Sequence, residues 1–126
     1  MIDIQEFEES VLIEANDFNW SVKNLITDIS VRNKNLSKVE LHKIACNIVG
    51  SLYIQELIKP VKSYYSDAED GSFCHLKTED LTDKELELLL KQPEQWLQLN
   101  IGSLTEVIEL EITEKGRAKY LEKVAF

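Results

Sequence analysis

The chain has 126 residues, 44% of them hydrophobic and 29% charged, with four Gly and two Pro; this composition suits one folded, helix-rich domain over residues 1–126 and excludes a disordered or fibrous chain. No apolar run approaches the roughly 18 residues of a membrane span, and the acidic start MIDIQEFEES lacks the basic and apolar regions of a secretory leader. The expectation is a soluble cytoplasmic protein with no membrane contact, in which Cys46 and Cys74 stay reduced. Its 23 acids against 14 bases give a formal net charge of −9, distributed unevenly: residues 1–22 carry −6, residues 23–62 carry +4 and residues 63–126 carry −7. A locally basic island thus lies between two acidic flanks.

Asp3 can cap a first helix, in which Ile4, Phe7, Val11, Leu12 and Ala15 recur at helical spacing. After Asn16, Asp17 and Asn19 a second helix is expected from near Asn19 or Trp20, with Val22, Leu25, Ile26 and Ile29 on one face. Ser37, with Glu40 three residues on, forms a capping box opening the longest helix. Its buried stripe is Leu41, Ile44, Ala45, Ile48, Val49 and Leu52, and Pro60 sets its latest end. VKSYYS and SFCHLK then read as hairpin arms around DAEDG. Thr82 and Glu85 form a second capping box, and Pro93 limits that helix before a short turn carrying Trp96. Ile108, Leu110 and Ile112 alternate with Glu109 and Glu111, predicting a strand with one buried and one wet face. Thr113 caps a last helix bearing Ala118, Leu121 and Val124.

The expected fold class is therefore α+β: three helices, a hairpin, a further helix, a strand and a C-terminal helix around a small antiparallel sheet. That order, with the segment Ile112-Thr113-Glu114-Lys115-Gly116-Arg117, resembles MarR-like bacterial winged-helix proteins, in which a strand runs into a Thr-capped helix. The resemblance implies a winged-helix domain, here with an elaborated wing, since about thirty residues separate the hairpin from the final strand. It also implies DNA contact by the third helix, residues 38–52, through Lys38, His42, Lys43 and Asn47, supported by Lys23, Arg32 and Lys34. Against this, the third helix has no Arg for bidentate guanine contact, and the acidic flanks repel a polyanion.

Other constellations favour structure over chemistry. His42 and Cys46 could share a helix face, but adjacent Cys74 and His75 on a strand point to opposite sides, which argues against zinc. Aligning SDAEDGS with a calcium loop puts Lys77 where the bidentate Glu must be, so that pattern fails. There is no phosphate-cradling glycine loop, nucleophile elbow or HExxH motif, so neither catalysis, cofactor nor metal is expected. Tyr64 and Tyr65 are consecutive, so one of them should face outward beside Asp67, Glu69 and Asp70. With Asp80 and Asp83 these form the candidate surface for a basic protein partner, because aromatics supply contact area and acids steer encounter. The favoured expectation is a non-catalytic, acidic protein-binding protein, comparable in size and charge to the immunity proteins that neutralise basic toxins; a DNA-binding regulator is the alternative.

Overall fold

The computed structural model describes residues 4–67, 73–99, 101 and 105–124. Among these residues the chain forms an α+β fold of five α-helices and a four-stranded antiparallel sheet. In chain order these are α1 (Ile4–Asp17), β1 (Trp20–Ser21), α2 (Val22–Arg32), α3 (Lys38–Ile54), β2 (Ile58–Asp67), β3 (Phe73–Asp80) and α4 (Asp83–Lys91). A 3-10 segment (Pro93–Leu99), β4 (Glu106–Ile112) and α5 (Glu114–Val124) complete it. No helix among the described residues is long and apolar enough to cross a membrane.

Helix starts follow local chemistry. Ser37 and Glu40 exchange capping hydrogen bonds at α3, and Thr82 and Glu85 do the same at α4. α2 begins at Val22, later than expected, because Trp20 and Ser21 pair with Leu110 and Glu109 as the short strand β1, leaving Ser21 as the N-cap. α3 ends at Ile54, well before Pro60. Glu56 there has φ of 61°, and Leu57 N–H donates to the Leu52 carbonyl while Glu56 N–H donates to Tyr53, a Schellman ending with Glu in place of the usual glycine. Pro60 is tolerated within β2 because the ladder to β3 starts only at Val61–Asp80.

The sheet order is β1-β4-β2-β3, all antiparallel, with Pro60 opposite Leu110 and Val61 opposite Glu109. Alternation then sorts the two faces. Ile58, Ile108, Leu110 and Ile112 join Val11, Leu25, Ile29, Ile48 and Leu52 in the helix-side core, which also holds the fully buried Trp96. Val61 is buried but lies outside that core, because it belongs with Ser63, Tyr65 and Glu109 to the face turned away from the helices.

The resemblance-bearing segment is explained by a corner. The Thr113 hydroxyl donates to the Glu56 carbonyl at 2.6 Å and accepts from Gly116 N–H at 2.9 Å, while Thr113 N–H donates to the Leu57 carbonyl at 3.1 Å. A Cβ at Gly116 would stand 2.0 Å from the Leu57 oxygen. Thr and Gly are therefore required to pack α5 against the end of α3.

Candidate functional site

The outward sheet face holds the chain's most unusual chemistry. Glu109, expected on a wet face, is only 8% exposed, because β4 is an interior strand flanked by β1 and β2. Ser63, one strand over, is fully buried and donates to Glu109 Oε1 at 2.6 Å. Tyr65 lies four residues beyond the register partner of Glu109, so its ring reaches back past Ser63 to donate to Oε2 at 2.7 Å. Burial first, and then the carboxylate beside it, pushes the Tyr65 hydroxyl up to about 12.

Ser63 is in turn 2.9 Å from Thr78 Oγ1, which is 2.7 Å from His75 Nε2. Since the Ser63 proton is committed to Glu109, Thr78 must donate to Ser63, and His75 must donate from Nε2 to Thr78. The donors form one directed chain ending on the carboxylate. His75 also meets the Tyr65 ring edge-on at 5.4 Å. Ser63 is sealed within this chain, where its hydroxyl holds Glu109 in position.

Above the cluster opens a cavity of about 620 Å³, with Phe18 and Val107 among its apolar walls and Asn19, Asn24 and Lys23 at its polar rim. No described cation lies within 4.0 Å of Glu109; Lys23 makes no ion pair with it. The hydroxyls satisfy hydrogen bonding without supplying positive charge. Comparison with protein-family models, curated proteins and solved structures finds no match to this chain.

The residues of the candidate basic island have different surroundings. Arg32, in the last turn of α2, bonds Glu6 at 3.3 Å and Asp28 at 3.2 Å, and its guanidinium lies 4.9 Å from the centre of the Phe7 ring. Lys23 sits at the opposite end of the same helix, on the rim of the sheet cavity. Lys34, Lys38, Lys43 and Asn47 are exposed, but His42 is half-buried and stacks on Trp96 at 5.8 Å. Burial there, with Lys38 nearby, lowers the His42 pKa, so the ring is neutral at pH 7 and is a poor phosphate ligand.

Of the candidate acidic surface, Glu69 and Asp70 lie outside the described residues, as does the side chain of Asp67. Asp80 pairs with Lys59 at 2.7 Å, while Asp83 is exposed in the first turn of α4. Tyr64 and Tyr65 do point to opposite faces, but each donates to a carboxylate: Tyr64 to Glu79 at 2.7 Å, Tyr65 to Glu109. The hydrogen bond from Tyr64 holds the Glu79 carboxyl below its ordinary value. Cys46 is buried and bonds the Leu89 carbonyl, and Cys74 is exposed. Among the described residues no group of three potential ligands could hold a metal.

Sequence reasoning missed Glu109 and Ser63 as site residues. The signal was their position on facing strands, but which residues face each other depends on the β2–β4 register, and nothing local encodes that pairing.

Proposed function

We propose that this chain is a non-catalytic binding protein for a basic protein partner, on a winged-helix-like scaffold, acting in the manner of small acidic immunity proteins. The observation that supports this most is the disposition of charge. Arg32, Lys59, Lys62, Lys77 and Lys115 are all held by carboxylates of the chain itself. Asp17, Asp83, Glu111, Glu114 and Glu122 stand exposed with no ion pair among the described residues. Such a surface accelerates encounter with a cationic protein and disfavours a polyanion.

The alternative, a DNA-binding regulator using α3, keeps the support of exposed Lys34, Lys38 and Lys43, which make no ion pair among the described residues. Fluorescence anisotropy separates the two, using a labelled Arg- and Lys-rich peptide and a labelled mixed-sequence duplex from about 50 to 200 mM salt. The expected result is salt-sensitive binding of the peptide, weakened by Asp83→Lys, and none of the duplex. Duplex binding that collapses in Lys38→Glu/Lys43→Glu would overturn the proposal and establish the regulator.

A further inference from the structure

We propose that the cavity on the outward sheet face receives one arginine or lysine side chain of the basic partner, with Glu109 as the carboxylate that binds it. The inference rests on the basic-partner proposal but concerns a single place on the protein. Glu109 is more than nine-tenths buried, yet it forms part of the wall of an open cavity of about 620 Å³. An ionised carboxylate has about four acceptor positions; the hydroxyls of Ser63 and Tyr65 take one on each oxygen. Acceptor capacity therefore remains on both oxygens, as a bidentate donor requires.

Electrostatics gives the ligand its sign. A buried carboxylate without a cation is costly, and no basic group of the described chain pairs with this one. A guanidinium or ammonium entering the cavity would supply that charge. The walls suit the stem of such a side chain: Phe18 is 63% exposed at the mouth, Val107 lines the cavity, and the Tyr65 ring offers an aromatic surface against which a guanidinium can stack. The His75–Thr78–Ser63 chain keeps the Ser63 proton aimed at Glu109, so the carboxylate is held in place before the guest arrives.

Lys23 on the rim acts against this ligand. Its like charge repels any cation, so entry favours a group on a long apolar stem that carries its charge past the rim to the floor. The two charged groups of the site thus give effects of opposite sign, which an acidic surface in general would not.

The test is an NMR titration of the isolated, isotopically labelled protein with butylguanidinium, with butylammonium and propionate as companion probes. The expected result is saturable shifts of the amides of Ser21, Lys23, Thr78, Val107 and Glu109 with either cation and none with propionate. Glu109→Gln, which keeps the shape but removes the charge and turns one acceptor oxygen into an amide donor, should weaken binding by at least about tenfold, as for loss of a charged hydrogen-bond acceptor. Lys23→Gln, at an exposed position, should strengthen it. Shifts spread over α1 and α4 and indifferent to Glu109→Gln would overturn the inference, as would no saturable shift or a preference for propionate at Lys23. Unchanged binding of the basic peptide by Glu109→Gln would overturn the cavity's role and leave the basic-partner proposal standing. Absence of peptide binding by the unaltered protein with the alkyl cations still seated would overturn the partner proposal and leave the cavity as a site for an alkyl cation.

Discussion

At the residue scale, Gly116 shows how a motif can carry structural information without functional content. The Thr113–Gly116 segment that resembles a winged-helix ending owes both residues to one contact, the seating of α5 on the left-handed corner at Glu56 and Leu57. A methyl group at position 116 would meet the Leu57 carbonyl oxygen at 2.0 Å and the Ile112 side chain at 2.9 Å. The first neighbour is backbone and cannot swing aside, so α5 must lift or the corner must open. Gly116→Ala should therefore destabilise the protein by about 3 kcal/mol or more, despite alanine's better helix propensity, which alone would favour the variant by about 1 kcal/mol. Urea unfolding measures the difference; an unchanged or raised midpoint would show that the corner yields freely.

At the element scale, most of the helices were legible because their signals are local. Ser37 with Glu40 and Thr82 with Glu85 mark their helix starts in four residues each, and both boxes form. β1 was not legible, since two residues become a strand only through their pairing with β4. The end of α3 was bounded by Pro60 but not marked, because the terminator is Glu56 in a left-handed conformation, where glycine would have announced itself. The docking of α4 also depends on a partner remote in sequence. Lys62 of β2 ion-pairs with Glu85 of α4, and at 3.1 Å with Glu106 of β4. Burial alone would raise the Glu85 carboxyl, but the hydrogen bonds from Lys62 and Thr82 outweigh it and leave its pKa lowered. A lowered folded-state pKa contributes stability that is present above the unfolded carboxylate range and is lost as pH falls through the folded value. Stability should therefore decline between about pH 5 and pH 3, and Lys62→Met should flatten that decline measurably. Urea midpoints of both proteins across the pH series test this; parallel slopes would mean that Lys62 contributes nothing to the acid sensitivity.

At the scale of the whole molecule, the net charge of −9 could be counted from the sequence, but not which charges remain free, because that depends on the tertiary contacts that occupy Arg32 and Lys62. The clearest surplus is on α1, whose last turn holds Glu14 and Asp17 and no base. Carboxylates at the C-terminal end of a helix face the negative pole of its dipole, at a cost of about 0.3–1 kcal/mol each at low ionic strength. They also add to repulsion across an already anionic protein. Added salt screens both effects, while also weakening exposed pairs such as Arg32–Glu6 and Lys115–Glu56. Those pairs contribute at most about 1 kcal/mol each, so with nine acids in excess the repulsive terms dominate. The melting temperature should accordingly rise by a few degrees between about 10 and 150 mM sodium chloride, where the Debye length falls from about 30 to 8 Å. Glu14→Gln/Asp17→Asn should raise it at low salt and reduce its dependence on salt. A melting temperature that instead falls with salt would mean that the surface ion pairs outweigh the surplus.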